Sequence, residues 1–540
     1  MIENINGNKN GNDDKENQNT INIEENKNVI KSEKNKNDIK NEENIFDITE
    51  KEPVNQVTIE IKKQPITTVV KKSTSTELKF EVEANGGNLT YQWYESADGT
   101  TNTGTAIENE NQNTYIVSPF TERGIRYFYC VVNVETESTT SSIATVAYTA
   151  LPLVEITTED GTKPTSAKEK HNGRLKIYYP NGDEYDSGAT NDFTIKVRGN
   201  ATASYPKAPY KLKLPKKKNL ININSEENKD KNWVLLASYC DKTLLRNKIG
   251  FYTAELFNEI DGNEKLYVPH SIFVDVVLNG EYIGNYTLAD SVKEGTERCS
   301  VNEKDSDDNG IGFVAEYDPG YYGREPKWFK TSLKEYPYTF KFPDTDEVDF
   351  DTYMQRFESY MNEFETALYN NVSDDWQNYI DFESFARWFL IHNILANMDT
   401  NYFFTKKSSE NSKLVMGPVW DFEWSIGIGW YYGERPRPAN YWCVNGWYFS
   451  ELLQKDEFKN ELKHLFAYIG DFTQKITSKM DEFSEEIAFS QKVNFIRWPI
   501  LNSQVSVGGI PLGSYEAELD CDKEFICNRF AWLESAINEL

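Results

Sequence analysis

Three stretches carry residue types that could do chemistry together. In VMGPVWDFEWSIGIGW, residues 415–430, Asp421 and Glu423 sit between tryptophans and ahead of a glycine-containing run. Burying an unpaired carboxylate is costly, so a cation or a phosphate-bound metal is the partner this pattern calls for. A strand, a carboxylate and then a loop is how phosphoryl-transfer enzymes hold the magnesium that bridges nucleotide phosphates. The alternative is a buried ion pair with an arginine such as Arg246. In ANMDTNYFF, Asp399 stands just past a helical pattern and before an extended aromatic run. A carboxylate there can accept a proton from a substrate hydroxyl, or simply cap the local backbone. In VRGNATASYPKAPYKLKLP a small-residue loop with Arg198, Gly199 and Asn200 leads into a strand bearing Lys211 and Lys213. Such a loop lets backbone amides approach an anion, and a strand lysine can complete a phosphate site. A polar sheet face with solvated lysines is the bland reading.

These stretches need rigid elements to bring them together. Phe193, Ile195 and Val197 alternate in one strand pattern, and Tyr210, Leu212 and Leu214 in the next. HSIFVDVVLNGEYIGNYTLAD reads as a hairpin turned at Asn279-Gly280, the strongest short hairpin signal. Leu245, Ile249, Tyr252 and Leu256 mark a helical face behind Asp241 as its cap, and DFESFARWFLIHNILANMD reads as a helix capped by Asp381. A sheet-rich part thus precedes a helix-rich part.

The 540-residue chain has room for several folding units, and its 12 Trp, 32 Tyr and 30 Phe predict cores built on large rings. A net charge of −28 opposes nucleic-acid backbones and anionic membrane surfaces. No apolar run reaches the roughly 20 residues of a spanning helix, and the first residues show no secretory signal pattern. The six cysteines form no CxxC pair and do not fix the compartment. Only four histidines are present, without paired spacing, which argues against a zinc hydrolase.

Residues 1–54 are a low-complexity Asn/Lys/Glu mixture that predicts a disordered tail. Residues 55–149 turn to period-2 texture in ELKFEVEANG, LTYQWYES and RYFYCVVNVE. This part resembles an immunoglobulin-like sandwich of the bacterial surface type, with Trp93 at its core and Cys130 on a late strand. No upstream cysteine is placed to pair with Cys130, and Phe128 stands at the corner-tyrosine position.

VRGN with YPKAPYKLKL, then WVLLASYCDKTLLRNKIG, VDVVLNGEYIGNYTLAD, NMDTNYFF and GPVWDFEWSIG occur in the order found in the spore-coat CotH family of atypical protein kinases. Residues 150–540 are accordingly similar to that family. The resemblance implies an α+β, two-lobed protein-kinase-like domain behind the sandwich. It also implies ATP with Mg2+ or Mn2+, and transfer to Ser or Thr of coat or surface proteins. By that resemblance Asp399 is the catalytic aspartate and Asp421 the metal-binding one, with Glu423 where many relatives carry a second aspartate. Lys213 is the expected phosphate-binding lysine, with Lys211 and Lys207 in reserve. Arg198, Gly199 and Asn200 border the phosphates, and Arg246 and Asn247 match the family's RN, where Arg246 either contacts the nucleotide or forms a structural ion pair. Asn401 follows Asp399 by only two positions, and Asp290 replaces an expected glutamate. The rival reading is an inactive kinase-fold scaffold that holds protein or glycan on aromatic residues such as those of WYYGERPRPANYWCVNGWYF. An extracellular or cell-surface location is expected.

Overall fold

The computed structural model describes residues 58–540 apart from 80, 86, 136, 189–192, 261–264, 304–309, 348, 371–374, 429–440, 445 and 506–509. The expected tail lies outside the described residues. Alternating residues build β1 (Thr58–Lys63), β2 (Thr68–Val69), β3 (Thr76–Lys79), β4 (Glu81–Asn85), β5 (Thr90–Ser96), β6 (Gly104–Ala106), β7 (Thr114–Val117), β8 (Gly124–Val134), β9 (Glu137–Thr140) and β10 (Ala144–Tyr148). The main sheet runs β2-β10-β8-β5-β6 with β9 also on β8, and β1-β4 and β3-β7 are separate two-stranded sheets. ELKFEVEANG is therefore divided: β3 pairs with β7 and β4 with β1. Trp93 is fully buried in this region's core with Phe128 and Cys130, and its ring lies 5.7 Å from that of Tyr115. Cys130 is a free thiol, so apolar packing around Trp93 takes the place of a disulfide.

The next strands are β11 (Leu153–Thr158), β12 (His171–Tyr178), β13 (Glu184–Asp186), β14 (Phe193–Val197), β15 (Tyr210–Lys218), β16 (Asp230–Leu236), β17 (Ser271–Leu278) and β18 (Glu281–Asp290). They pair in the order β11-β17-β18-β16-β15-β14-β12-β13, and β11 also pairs with β12. The sheet thus closes on itself as a barrel with β13 appended to β12. Closure comes from the double pairing of β11, with β12 and with β17, and the alternation points one face of these strands inward. Val154, Ile156, Ile195, Tyr210, Leu212, Trp233, Val274 and Leu288 fill one buried cluster, and each large side chain so buried contributes about 1.5–3 kcal/mol. The other face of the same strands must meet something else. Val234, Phe273 and Ala289 pack into the large core of the helical part, while Leu153, Val277 and Tyr282 join Val69 and Ala147 from the N-terminal strands. Asn279 and Gly280, with φ of 52° and 80°, make the predicted turn between β17 and β18.

Beyond the barrel, β19 (Phe313–Tyr317), β20 (Trp328–Lys330), β21 (Pro337–Phe342), β22 (Tyr402–Lys406) and β23 (Leu414–Met416) form a sheet ordered β20-β21-β19-β22-β23. The helices are α1 (Arg246–Asn258), α2 (Phe350–Tyr369), α3 (Phe382–Ile394), α4 (Phe449–Leu452), α5 (Asp456–Ala467), α6 (Phe472–Glu486), α7 (Ala488–Arg497) and α8 (Tyr515–Asn538). Asp381 caps α3 as expected, accepting the Ser384 amide at 2.8 Å. Asp241 does not cap α1 directly. The helix begins at Arg246, and Asp241 accepts its amide at 2.8 Å from across the intervening turn. No helix among the described residues is long and apolar enough to cross a membrane.

Candidate active site

β22 and β23 are antiparallel neighbours, with Phe404 opposite Met416. The residues that enter β22 and those that leave β23 consequently lie at one end of the hairpin. Asp399 enters and Asp421 leaves, so a local pairing brings together two carboxylates that the sequence separates. Asp421 adopts a φ of 62°, a left-handed conformation that a non-glycine residue holds only when its surroundings enforce it.

Those surroundings are specific. Asn247 Oδ1 accepts the Phe422 amide at 2.9 Å, and Asn397 Nδ2 donates to the Asp421 carbonyl at 2.9 Å. Asn401 Nδ2 donates to Asp421 Oδ2 at 3.2 Å. Phe422 is fully buried and lies parallel to His392, with ring centroids 4.9 Å apart. On α1, Gly250 leaves room for that ring: a Cβ there would come within 2.1 Å of Phe422 Cδ2. Burial pushes the His392 imidazole down to about 3, so the ring is neutral. Its Nδ1 pairs with Asn397 Nδ2 at 3.2 Å, and the same amide thus orients both the ring and the turn.

Burial pushes the Asp421 carboxyl up to about 6, and the Asp399 charge adds to the shift. Arg198 and the Asn401 hydrogen bond act the other way. Desolvation by the surrounding protein raises Asp399 as well, although the residue keeps access to solvent. Glu423, only 8% exposed, accepts the Cys240 amide at 2.9 Å. Burial lifts it to about 7, and the Asp421 charge contributes. Desolvation thus makes all three carboxyls reluctant to ionise without a cationic partner.

The Arg198 guanidinium stacks on the Trp420 ring, 5.5 Å from its centroid, and interacts electrostatically with Asp421 and Glu423. Gly199 has a φ of 89°, and a Cβ there would strike Thr202 Oγ1. Asn200 is exposed in the same loop. Lys211 lies opposite Lys196 in the β14-β15 register, and Lys213 opposite Thr194. Burial lowers the Lys211 ammonium, and the neighbouring charges of Lys196, Arg198, Lys293 and Lys213 lower it further. A run of cations thus spreads from Arg198 across the outer face of the barrel, with Lys213 its exposed member.

Of the two readings of Arg246, the structure shows the ion pair and not a nucleotide-facing side chain. Arg246 is 1% exposed and ion-paired with Asp241 and with Asp522, the latter at 2.6 Å. Its Nε donates to the Ser425 carbonyl at 3.0 Å and its Nη2 to that of Ile426 at 3.4 Å. Every guanidinium nitrogen is engaged inside the protein, so Arg246 clamps the loop after Asp421 and has no donor left for a nucleotide. Nor is it the partner of Asp421, the alternative considered above. In the aromatic stretch 430–449, residues 430–440 lie outside the described residues, and Trp447, Tyr448 and Phe449 are core side chains, not an exposed platform.

Two contributors had faint sequence signals. Asn397 stands two positions before Asp399, where nothing distinguishes it from a loop asparagine. Asp522 is one acid among several on α8. Lys207, a reserve candidate, is 1% exposed, and its Nζ has no hydrogen-bond partner among the described residues. Burial lowers it to about 7, against the opposing pull of Glu423, Asp275 and Asp241.

The family model described as CotH kinase protein matches residues 195–533, a span that holds Arg198, Asp399, Asp421 and all eight helices named above. The chain belongs to the CotH kinase protein family. No curated protein matches it. Among solved structures, the N-terminal eight Ig domains of Down Syndrome Cell Adhesion Molecule, isoform 1.30.30, match at 9% identity and a TM-score of 0.16. The match covers 55% of this chain and 45% of that one, so the chain spans less than half of that structure's length.

Proposed function

We propose that this chain is an ATP- and divalent-metal-dependent protein kinase that phosphorylates Ser or Thr on surface or coat proteins, through a two-lobed kinase-like domain of residues 150–540. The observation that carries this reading is the convergence of Asp399 and Asp421 beside the Arg198 cation. The residues suit a metal and a polyphosphate. Asp421 and the Asn401 amide offer the hard oxygen donors that Mg2+ or Mn2+ takes, and Glu423 adds a carboxylate of longer reach. Arg198, Lys211 and Lys213 offer positive charge to the nucleotide, with Gly199 and Asn200 in the adjoining loop. When bound, the metal would neutralise phosphate charge that develops during transfer.

The remaining work is positioning. Asp399 is exposed at the mouth of the site, where a protein hydroxyl can reach it, and its raised affinity for a proton suits it to orient that hydroxyl and take its proton. Asn247, Asn397 and Arg246 keep the Asp421 turn in a single conformation. The N-terminal strands, residues 55–149, are proposed to be the immunoglobulin-like module, and the protein to act at the cell exterior.

Equilibrium titration with ATP in the presence and absence of Mg2+ tests the site. Metal-dependent binding that weakens at least about tenfold in Arg198→Gln agrees with the reading. Binding that ignores both metal and Arg198 overturns it.

A further inference from the structure

A buried polar chain runs from the end of the N-terminal strands to the loop that borders the candidate site. Thr149, just past β10, donates its hydroxyl to Asp275 Oδ2 at 2.5 Å. Asp275 lies on β17, fully buried, and takes two more hydrogen bonds, from Tyr282 of β18 at 2.8 Å and Ser490 of α7 at 2.7 Å. One carboxylate therefore joins three separate parts of the chain. Ser490 Oγ in turn accepts from Asn285 Nδ2 at 2.8 Å, and Asn494 Oδ1 accepts the Asn285 amide at 3.1 Å.

The next contact is steric. Gly284, with a φ of 119°, sits where β18 departs from regular register with β17. An ideal Cβ there would lie 2.7 Å from Asn494 Oδ1, 2.8 Å from Lys207 Cε and 3.1 Å from Trp498 Nε1. Asn494 on α7, Lys207 and Trp498, the residue that follows α7, thus all border the space that a side chain at Gly284 would fill. From Trp498 a ring chain continues through Tyr239, at 6.1 Å, to Tyr205, at 5.5 Å. Tyr205 and Lys207 belong to the loop that begins at Arg198. Around the Asp275 junction, Val69 and Ala147 share a small core with Leu153, Val277, Tyr282 and Val493, and Arg123 pairs with Glu485 just before α7.

We propose that the N-terminal strands are a positioning part of the catalytic unit: docked through Thr149 onto Asp275, they fix α7, and α7 fixes Lys207 and the loop from Arg198 to Ala208. The functional consequence rests on the reading that this loop borders the nucleotide; the mechanical coupling does not. Energetic coupling along this chain is established by a readout at one end of a change made at the other.

Amide hydrogen exchange of the full chain supplies one without any nucleotide. The relevant amides are Arg198, bonded to the Pro209 carbonyl, and Ser204 and Tyr205, bonded within the loop. Thr149→Val keeps the other two donors to Asp275, so the chain should still fold. Exchange at these amides is expected to rise at least about fivefold in Thr149→Val and in Ser490→Ala, and to stay near wild type in Thr149→Ser. ATP KM should rise by at least about threefold in the same two variants, with kcat changing less. Faster exchange confined to β11 and α7, with the loop unchanged in both variants, overturns the proposal. Faster loop exchange in a protein that binds no nucleotide supports the coupling and counts against the kinase reading alone.

Discussion

Asn247 Oδ1 receives the Phe422 amide at 2.9 Å, which ties the first turn of α1 to the backbone immediately after Asp421. The bond matters because Asp421 holds a left-handed φ that has to be enforced from outside. Asn247→Ala leaves that buried amide unpaired and is expected to cost about 1–3 kcal/mol. Urea unfolding reads the stability loss. Phosphotransfer should fall by a larger factor than the fraction unfolded explains.

Arg246→Met strands Asp241 and Asp522, both buried, and breaking such a pair typically costs about 3–5 kcal/mol. The unfolding midpoint should drop sharply, and ATP affinity should fall only together with that loss, as the loop after Asp421 loosens. A variant that unfolds at the wild-type urea concentration but binds ATP poorly would put Arg246 at the nucleotide after all.

Gly250→Ala places a methyl group within 2.1 Å of the Phe422 ring. Overpacking of this kind costs about 1–3 kcal/mol, and here the strain falls on the residue next to Asp421. The expected result is a lower melting temperature together with lost phosphotransfer. Retained activity at wild-type Tm would show that Phe422 has room to move.

His270 Nδ1 lies 2.9 Å from Asp290, which also accepts from Tyr267 and Asn228. The Asp290 hydrogen bond raises the His270 pKa, against the opposing effect of burial. A raised histidine means that the folded state binds the proton more tightly than the unfolded one. Its contribution is complete below the ordinary value of about 6.5 and disappears as pH climbs through the higher folded value. The Tm difference between wild type and His270→Gln should accordingly be largest near pH 6 and shrink toward pH 8.5. A difference that is flat with pH would mean that the pair carries no protonation linkage.

Local features were legible in the sequence for local reasons. The Asn279-Gly280 turn, the Asp381 cap and the alternation in β14 and β15 each depend on a few neighbouring residues, and each is present in the structure. Barrel closure was not legible, because it requires β11 to pair with both β12 and β17 and no short pattern encodes a second partner. The division of ELKFEVEANG between two sheets was hidden similarly, since its alternation is continuous. Asp399 and Asp421 stand out in the sequence by type and setting, and the β22-β23 hairpin puts them at one end of the same pair of strands; their role in transfer is the proposal. For Arg246 the sequence left a ligand contact and a structural ion pair both open: its partner Asp522 is far along the chain on α8, and an arginine at a helix start looks the same whether it faces ligand or core.

The central claim is that Asp421 serves phosphoryl transfer and not folding. Incubation with γ-labelled ATP and Mg2+, comparing wild type with Asp421→Asn, tests it most directly, with thermal melting as the control for folding. The account predicts label on a Ser- or Thr-bearing acceptor, or on the protein itself, for wild type alone, and a variant that melts at or above the wild-type temperature because a buried carboxylate has been neutralised. Full incorporation by Asp421→Asn, or none by folded wild type across acceptors and metals, would contradict it.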